Sequence, residues 1–215
     1  MNKLRTLSQK PDKPYFMLGH SMGSYLLRRY LSVYGGGLSG AVIMGTGANP
    51  DAVAKLGMAV CKAIAAFKGW KYRSPFMEKL FFSGDFQKFD MDGTHPENSW
   101  LTKDTEIVRF YYSEPRCTFK FTLKAYYDFL KTVYYVNRKE NVEKIPKDLP
   151  ILMVAGDCDP VGEFGKAVKR VYEMYKAAGI NDVTLKLYEN DRHEILNETD
   201  KERVFDDIFN WCESR

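Results

Sequence analysis

Tyr15-Phe16-Met17-Leu18-Gly19-His20-Ser21-Met22-Gly23 is the stretch whose reading decides the fold. Four apolar residues run into a glycine, the pattern of a short buried strand. From Ser21 onward, Met22, Leu26, Leu27, Tyr30, Leu31 and Tyr34 recur at helical spacing until Gly35-Gly36-Gly37 stops them. A Gly-x-Ser-x-Gly sequence between a strand and a helix suggests a nucleophile elbow, in which a tight, strained turn projects the serine hydroxyl past the end of the strand. Gly19 and Gly23 are expected to leave the space that side chains two residues either side of Ser21 would fill. The helix N-terminus would then offer its dipole and the N–H of Met22 to a developing oxyanion. Taken alone, the five residues could equally be a plain glycine-rich turn.

Working outward, residues 41–44 form a second apolar run closed by Gly45, so two strands joined by one helix make a parallel unit. The pattern resumes at Ile151-Leu152-Met153-Val154-Ala155, closed by Gly156. A helix is expected through Phe164, Val168, Val171 and Tyr175 to Gly179. Val183, Leu185 and Leu187 then alternate with Thr184, Lys186 and Tyr188, as in a strand with one wetter face. Thr199-Asp200-Lys201-Glu202 reads as a capping box opening a last helix, with Val204, Phe205, Ile208, Phe209 and Trp211 on its apolar side.

The fold class is therefore α/β: a parallel sheet with flanking helices, its core at 1–47 and 146–215, interrupted by a mostly helical insertion at 48–145. Asn49-Pro50-Asp51 is expected to start the insertion's first helix, with Asn49 as cap and Pro50 as first residue. Its apolar residues are Val53, Leu56, Val60, Ala63, Ile64 and Phe67, ending at Gly69. Further helices are predicted near 102–112 and 122–137.

A serine hydroxyl reacts only if a base takes its proton, and the base needs an orienting acid. The chain has three histidines. His20 adjoins Ser21 on the turn and is expected to point into the fold. His95 lies in the insertion. His193 follows the last strand of the sheet, where it could meet Ser21 from across the carboxyl rim, and is the candidate base. The acid should leave the preceding strand at Asp157-Cys158-Asp159-Pro160. Both aspartates qualify on polarity; Asp159, out in the turn and braced by Pro160, reaches sideways more easily and is preferred, with Asp157 as turn former. The order Ser, Asp, His belongs to one hydrolase architecture among several convergent triads.

Composition excludes other classes. A chain of 215 residues with 45% hydrophobic and 28% charged residues has globular proportions. A net charge of +4 is too mild to imply nucleic acid. Four scattered cysteines with no Cys-x-x-Cys pair suggest neither a zinc site nor a disulfide framework, so no metal and no cofactor are expected. They fit a reducing compartment, and with no signal-peptide pattern at the start the expected location is cytoplasmic. The charge surplus is local: residues 51–73 hold five Lys/Arg (Lys55, Lys62, Lys68, Lys71, Arg73) against one Asp. That segment could make peripheral contact with an anionic lipid surface; the plainer reading is a lid helix with a solvated basic face. Of 31 aromatics, 19 lie in residues 67–135, enough to line an apolar slot over the serine or simply to give the insertion a core.

Three segments together resemble a family. Residues 19–23, Gly156-Asp157-Cys158-Asp159-Pro160-Val161 and Tyr188-Glu189-Asn190-Asp191-Arg192-His193 look like the elbow, acid turn and histidine loop of α/β-hydrolases. The branch they resemble most comprises bacterial lysophospholipase and monoacylglycerol-lipase-like proteins, grouped with the serine aminopeptidases. Ser99-Trp100-Leu101-Thr102-Lys103-Asp104, followed by Glu114-Pro115-Arg116-Cys117, resembles that branch's lid. The resemblance spans essentially the whole chain. It implies the α/β-hydrolase fold, a triad of Ser21, Asp159 and His193, the Met22 N–H as oxyanion donor, and a small ester or lipid such as a lysophospholipid or monoacylglycerol as substrate. An aminopeptidase acting on amides is the rival on the same triad.

The sequence departs from the family in one respect. Members carry further strands and an oxyanion loop with a His-Gly upstream of the elbow, whereas here the elbow begins at Gly19. The expectation is a core without that part, its activity impaired, and a first strand left as an apolar open edge that invites pairing with a second copy. A fragment acting only as a binding or assembly partner is the third reading.

Overall fold

A computed structural model describes residues 2–10 and 12–215 of the protein. The chain runs through α1 (Asn2–Ser8), β1 (Phe16–His20), α2 (Met22–Tyr34) and β2 (Gly40–Met44). It continues through α3 (Asp51–Lys68), α4 (Pro75–Phe81), α5 (Thr105–Ser113), α6 (Leu123–Val136) and α7 (Lys139–Val142) before returning to the sheet. The last elements are β3 (Ile151–Gly156), α8 (Lys166–Ala177), β4 (Val183–Tyr188) and α9 (Glu202–Glu213).

The strands form one parallel sheet in the order β1-β2-β3-β4, so their carboxyl ends share one rim. β2 and β3 are buried along their whole length, as central parallel strands covered on both faces must be. Side chains alternate between those faces. Ala41, Ile43, Ile151 and Met153 pack with Leu27 and Leu31 of α2 and Val168 and Val171 of α8. Val42, Met44, Leu152 and Val154 pack on the other side with Val204 and Trp211 of α9. β4 keeps Thr184 and Lys186 in solvent, the wetter face expected of it, but Tyr188 of that face is buried with Ile195, Val204 and Trp211. Among the described residues β1 pairs with β2 alone and forms a sheet edge, where Leu18 is 48% exposed.

Local differences from the sequence reading have physical causes. The first strand forms at Phe16–His20, past Gly19, because the ladder with β2 continues to His20 opposite Met44. Phe164 precedes α8: with Glu163 it adopts a positive φ in the turn that leads into the helix. Pro50, extended at ψ 144°, itself occupies the cap position of α3; Asn49 lies one residue too early, and its carbonyl accepts from Asn137 Nδ2 instead. The capping box before α9 does not form, and the helix starts after Lys201 with no side-chain cap. Asp200 of that box pairs with Arg203 and Lys103. α5 and α6 do carry side-chain caps, Asp104 and Thr122.

The largest difference concerns α3. Its fully buried residues are Ala54, Gly57, Cys61 and Ala65; Cys61 and Ala65 pack with Met77, Leu123, Tyr126 and Leu130, and Met58 and the expected Val60 and Ile64 pack half-buried against the same cluster. A Cβ on Gly57 would lie 2.8 Å from Leu130 Cδ1, so α3 and α6 approach as closely as only small residues allow. Leu56 and Phe67, expected on the packing face, point to solvent.

One buried cation ties the insertion to the sheet. Arg28 of α2 donates to Thr46 Oγ1 and the Gly47 carbonyl beyond β2, and to the Val136 carbonyl and Asn137 Oδ1 at the end of α6. The last two receive the guanidinium at a helix C-terminus, where the dipole favours positive charge. Among the described residues it has no ion-pair partner, so these four bonds offset its desolvation.

Candidate active site

Ser21 sits between β1 and α2 with φ 53° and ψ −124°, a backbone conformation costing a non-glycine residue about 1–3 kcal/mol. Three hydrogen bonds hold it there. Its N–H donates to the Met44 carbonyl at 3.0 Å, and its carbonyl accepts from the Ser24 N–H at 2.9 Å and Ser24 Oγ at 2.6 Å. Gly19 is required by contact, since a Cβ there would fall 2.4 Å from the Gly23 carbonyl oxygen. Gly23 is not crowded in the same way: a Cβ on it would meet nothing within 4 Å. The elbow needs closeness on one side only. Met22 is the first residue of α2, so its N–H has no carbonyl one turn back to receive it.

Across the rim, His193 and Asp159 meet. Nδ1 of His193 lies 3.0 Å from Oδ2 of Asp159, with the two side chains 2% and 0% exposed. The other carboxylate oxygen, Oδ1, accepts the Val161 N–H at 2.8 Å. Asp157 faces away and accepts the Asn190 N–H, tying the acid turn to the histidine loop. An aspartate that accepts at Nδ1 leaves Nε2 as the nitrogen free to act on a proton. Nε2 is buried and has no hydrogen-bond partner among the described residues. The imidazole stands beside the elbow: a Cβ on Gly45 would lie 3.1 Å from its Cε1, and Gly45 follows the residue whose carbonyl holds the Ser21 amide.

Two aromatic rings enclose that imidazole. His20 lies 4.6 Å away between centroids, and its Nε2–H donates to the His193 carbonyl at 3.0 Å. Burial, and then the charge of His193, hold the pKa of His20 below its ordinary 6.5, so His20 is neutral at pH 7. On the other side Trp100 lies at 5.1 Å with its plane tilted 31°. His95, by contrast, is solvent-exposed in the insertion, beside Glu97.

The segment carrying Trp100 is fastened to the histidine loop by groups the sequence reading did not single out. The N–H groups of His193 and Glu194 donate to the carbonyls of Trp100 and Leu101. The guanidinium of Arg192 donates to the carbonyls of Glu97, Ser99 and Thr102. Glu198, fully buried, accepts from the Arg192 N–H at 2.7 Å, the Lys103 N–H at 2.9 Å and Thr102 Oγ1 at 3.0 Å. Asp191, also fully buried, pairs with Lys103 at 2.8 Å and Arg203 at 2.9 Å. Burial alone would lower the pKa of Lys103, but its carboxylate neighbours, Asp191 foremost, raise it overall and keep the amine charged. Both segments, 99–104 and 188–193, stood out in the sequence for their resemblance to the family, but nothing there showed that these groups join one to the other.

A cavity of about 440 Å³ opens beside the elbow, lined by Met22 and Leu26 of α2 and by Phe119, Phe121 and Phe129 of the insertion, with the charged Arg73, Lys120 and Asp128 also in its wall. Among the described residues no group of three or more His, Cys, Asp or Glu side chains is placed to hold a metal ion.

Comparison with known proteins gives this geometry a setting. The profile of the serine aminopeptidase S33 family matches residues 2–200. The monoacylglycerol lipase of Mycolicibacterium smegmatis is 26% identical over 208 residues, covering 95% of this chain and 64% of that protein. The chain thus spans less than two thirds of that curated relative's length. A thermostable carboxyl esterase of Bacillus coagulans, solved with glycerol, superimposes with a TM-score of 0.87 at 30% identity, over 99% of this chain and 69% of the other. A soluble variant of the monoglyceride lipase of Saccharomyces cerevisiae, solved with a substrate analogue, gives 0.71 at 22% identity, over 99% and 68%.

Proposed function

The chain belongs to the serine aminopeptidase S33 family and has the α/β-hydrolase fold, and on that premise we propose that it is a serine ester hydrolase acting on single-chain lipid esters of the monoacylglycerol or lysophospholipid type. The observation that carries the reading is the buried Asp159–His193 hydrogen bond, with the second imidazole nitrogen unpaired beside the strained turn that bears Ser21.

In this reading Nε2 of His193 takes the Ser21 Oγ proton as that oxygen bonds to the ester carbonyl carbon. The carbonyl oxygen gains the electron pair and turns to the Met22 N–H at the head of α2. As the tetrahedral intermediate collapses, the C–O bond to the alcohol breaks and the imidazolium hands its proton to the departing alkoxide. Water, deprotonated by the same nitrogen, then attacks the acyl-serine and releases the carboxylic acid. Asp159 fixes the Nδ1–H tautomer throughout and stabilises the imidazolium. The cavity beside Met22 suits an acyl chain, since its wall is mostly aromatic and aliphatic. The relatives' names, lipase and esterase, favour the ester over the amide. The exposed edge of β1 supports a second proposal, that two copies associate there.

The test is a paired assay of nitrophenyl esters of graded chain length against aminoacyl arylamides. Ester turnover abolished by Ser21→Ala supports the reading. Arylamide turnover alone supports the peptidase. Neither, in folded protein, leaves the chain a binding or assembly partner.

A further inference from the structure

The cavity beside Met22 has two chemically different ends. α2 and α6 flank it and run in the same sense, since Tyr25 lies against Phe129 and, about two turns on, Ser32 reaches the Tyr135 hydroxyl. One end is therefore at Leu26 and Thr132, and the other at Thr122, Lys120 and Arg73, about 15 Å away along α6. Met22, and with it Ser21, falls between them. Met22, Leu26 and Phe119 are 42%, 41% and 60% exposed, apolar surfaces that a lipid chain would cover.

The charges at the second end do not cancel. Lys120 is paired with Glu78 at 2.9 Å, and Asp128 is held by Lys124 at 2.7 Å. Arg73 donates from Nε to the Lys120 carbonyl at 3.1 Å, which fixes the side chain at that end, and it has no ion-pair partner among the described residues. The N–H groups that open α6 are already engaged: those of Leu123 and Lys124 donate to the carbonyls of Tyr72 and Trp70, and that of Ala125 to Thr122 Oγ1. The positive charge left at this end is thus the Arg73 guanidinium, a planar donor suited to the oxygens of a phosphate.

We propose that the cavity selects single-chain lipid esters with an anionic headgroup, lysophospholipids over monoacylglycerols, and that Arg73 is the residue that reads the charge. The proposal rests on the ester-hydrolase reading, which puts the ester carbonyl at Ser21. That carbonyl is neutral, so the anion that meets Arg73 comes from the alcohol side, where a lysophospholipid carries a phosphate and a monoacylglycerol carries only hydroxyls. The acyl chain runs the other way, along Leu26 toward Thr132.

Calorimetric binding to Ser21→Ala protein tests it, since no ester is then cleaved. The probes are lauroyl lysophosphatidylglycerol, monolauroylglycerol and laurate, each kept monomeric, at about 50 mM salt. The lysophospholipid should bind about tenfold more tightly than the monoacylglycerol, and added salt should shrink that ratio. Arg73→Gln should bring the two within about twofold by weakening the lysophospholipid alone, and Arg73→Lys should keep part of the preference. Arg73 is exposed, so far-ultraviolet dichroism should stay that of the parent. Equal affinities before substitution, or a preference that survives Arg73→Gln because both ligands weaken alike or neither does, would overturn the proposal. So would laurate binding that depends on Arg73 as strongly as the lysophospholipid does, because the anion read would then be an acid and not a headgroup. Ester turnover by the Ser21 protein with no such preference would remove this proposal and leave the hydrolase reading; an Arg73-dependent preference with no turnover would do the reverse.

Discussion

Trp100 covers the imidazole of His193, ring centroids 5.1 Å apart and planes 31° from parallel. One residue belongs to the insertion and the other to the loop after the last strand, so the insertion closes over the proposed base and excludes water from it. Trp100→Ala should expose His193 and lower kcat about tenfold with a smaller change in KM, whereas Trp100→Phe should keep most of the activity, because a proton-transfer group is worth roughly 100- to 10,000-fold and misplacement forfeits part of that. Steady-state ester kinetics on the two variants provide the check.

Asp159→Asn removes the carboxylate that receives Nδ1–H while keeping the shape of the turn. Ester turnover should fall by about four orders of magnitude, as expected when the imidazole is left in the wrong tautomer. Asp157→Asn should cost far less than a tenth of that, because Asp157 accepts a loop N–H and does not touch the imidazole. Equal losses in the two variants would contradict the assignment of roles.

Acid should destabilise the protein through His20. Its folded pKa is depressed by burial first and by the charge of His193 second, so below pH 6.5 the unfolded chain takes the proton before the folded one does. The contribution is thus fully present above pH 6.5 and is lost as pH falls from there through the depressed folded value. Thermal melts from pH 7.5 down to pH 5 should show the decline. In His20→Gln, which cannot take up that proton, the decline should be shallower.

Glu198 accepts three hydrogen bonds while wholly buried. Glu198→Gln turns one acceptor into a donor facing donors, which should cost about 1–3 kcal/mol and lower Tm by roughly 2–10 °C. The histidine loop should loosen with it, so the loss of activity at 25 °C should exceed what the unfolded fraction explains.

Much of the scaffold was legible from periodicity. The runs at β1, β2 and β3 are short, apolar and closed by glycine, α2 carries helical spacing, and helices were expected near 102–112 and 122–137, where α5 and α6 form. That the turns bearing residues 21, 159 and 193 lie on one rim was expected because parallel strands deliver their carboxyl ends together. What escaped was settled by neighbours distant in sequence. The facing of α3 depends on how closely α6 approaches, and the pattern that placed Val60 and Ile64 against the core does not reveal that Gly57, Cys61 and Ala65 take the closest contact while Leu56 and Phe67 face solvent. Asn49 and Thr199 had the right residue types for caps but yielded to a proline one residue on and to charges on Arg203 and Lys103. Nothing in the sequence assigned a role to Arg28, Asp191 or Glu198, and only the fold shows them buried and bonded.

The most direct measurement is reaction of the folded chain with a fluorophosphonate probe, followed by peptide mapping of the adduct. The expected result is one phosphonyl group on Ser21, abolished in His193→Ala. A probe that leaves residue 21 untouched in folded protein, or that labels it equally well without His193, would contradict the claim that imidazole and hydroxyl work as one unit.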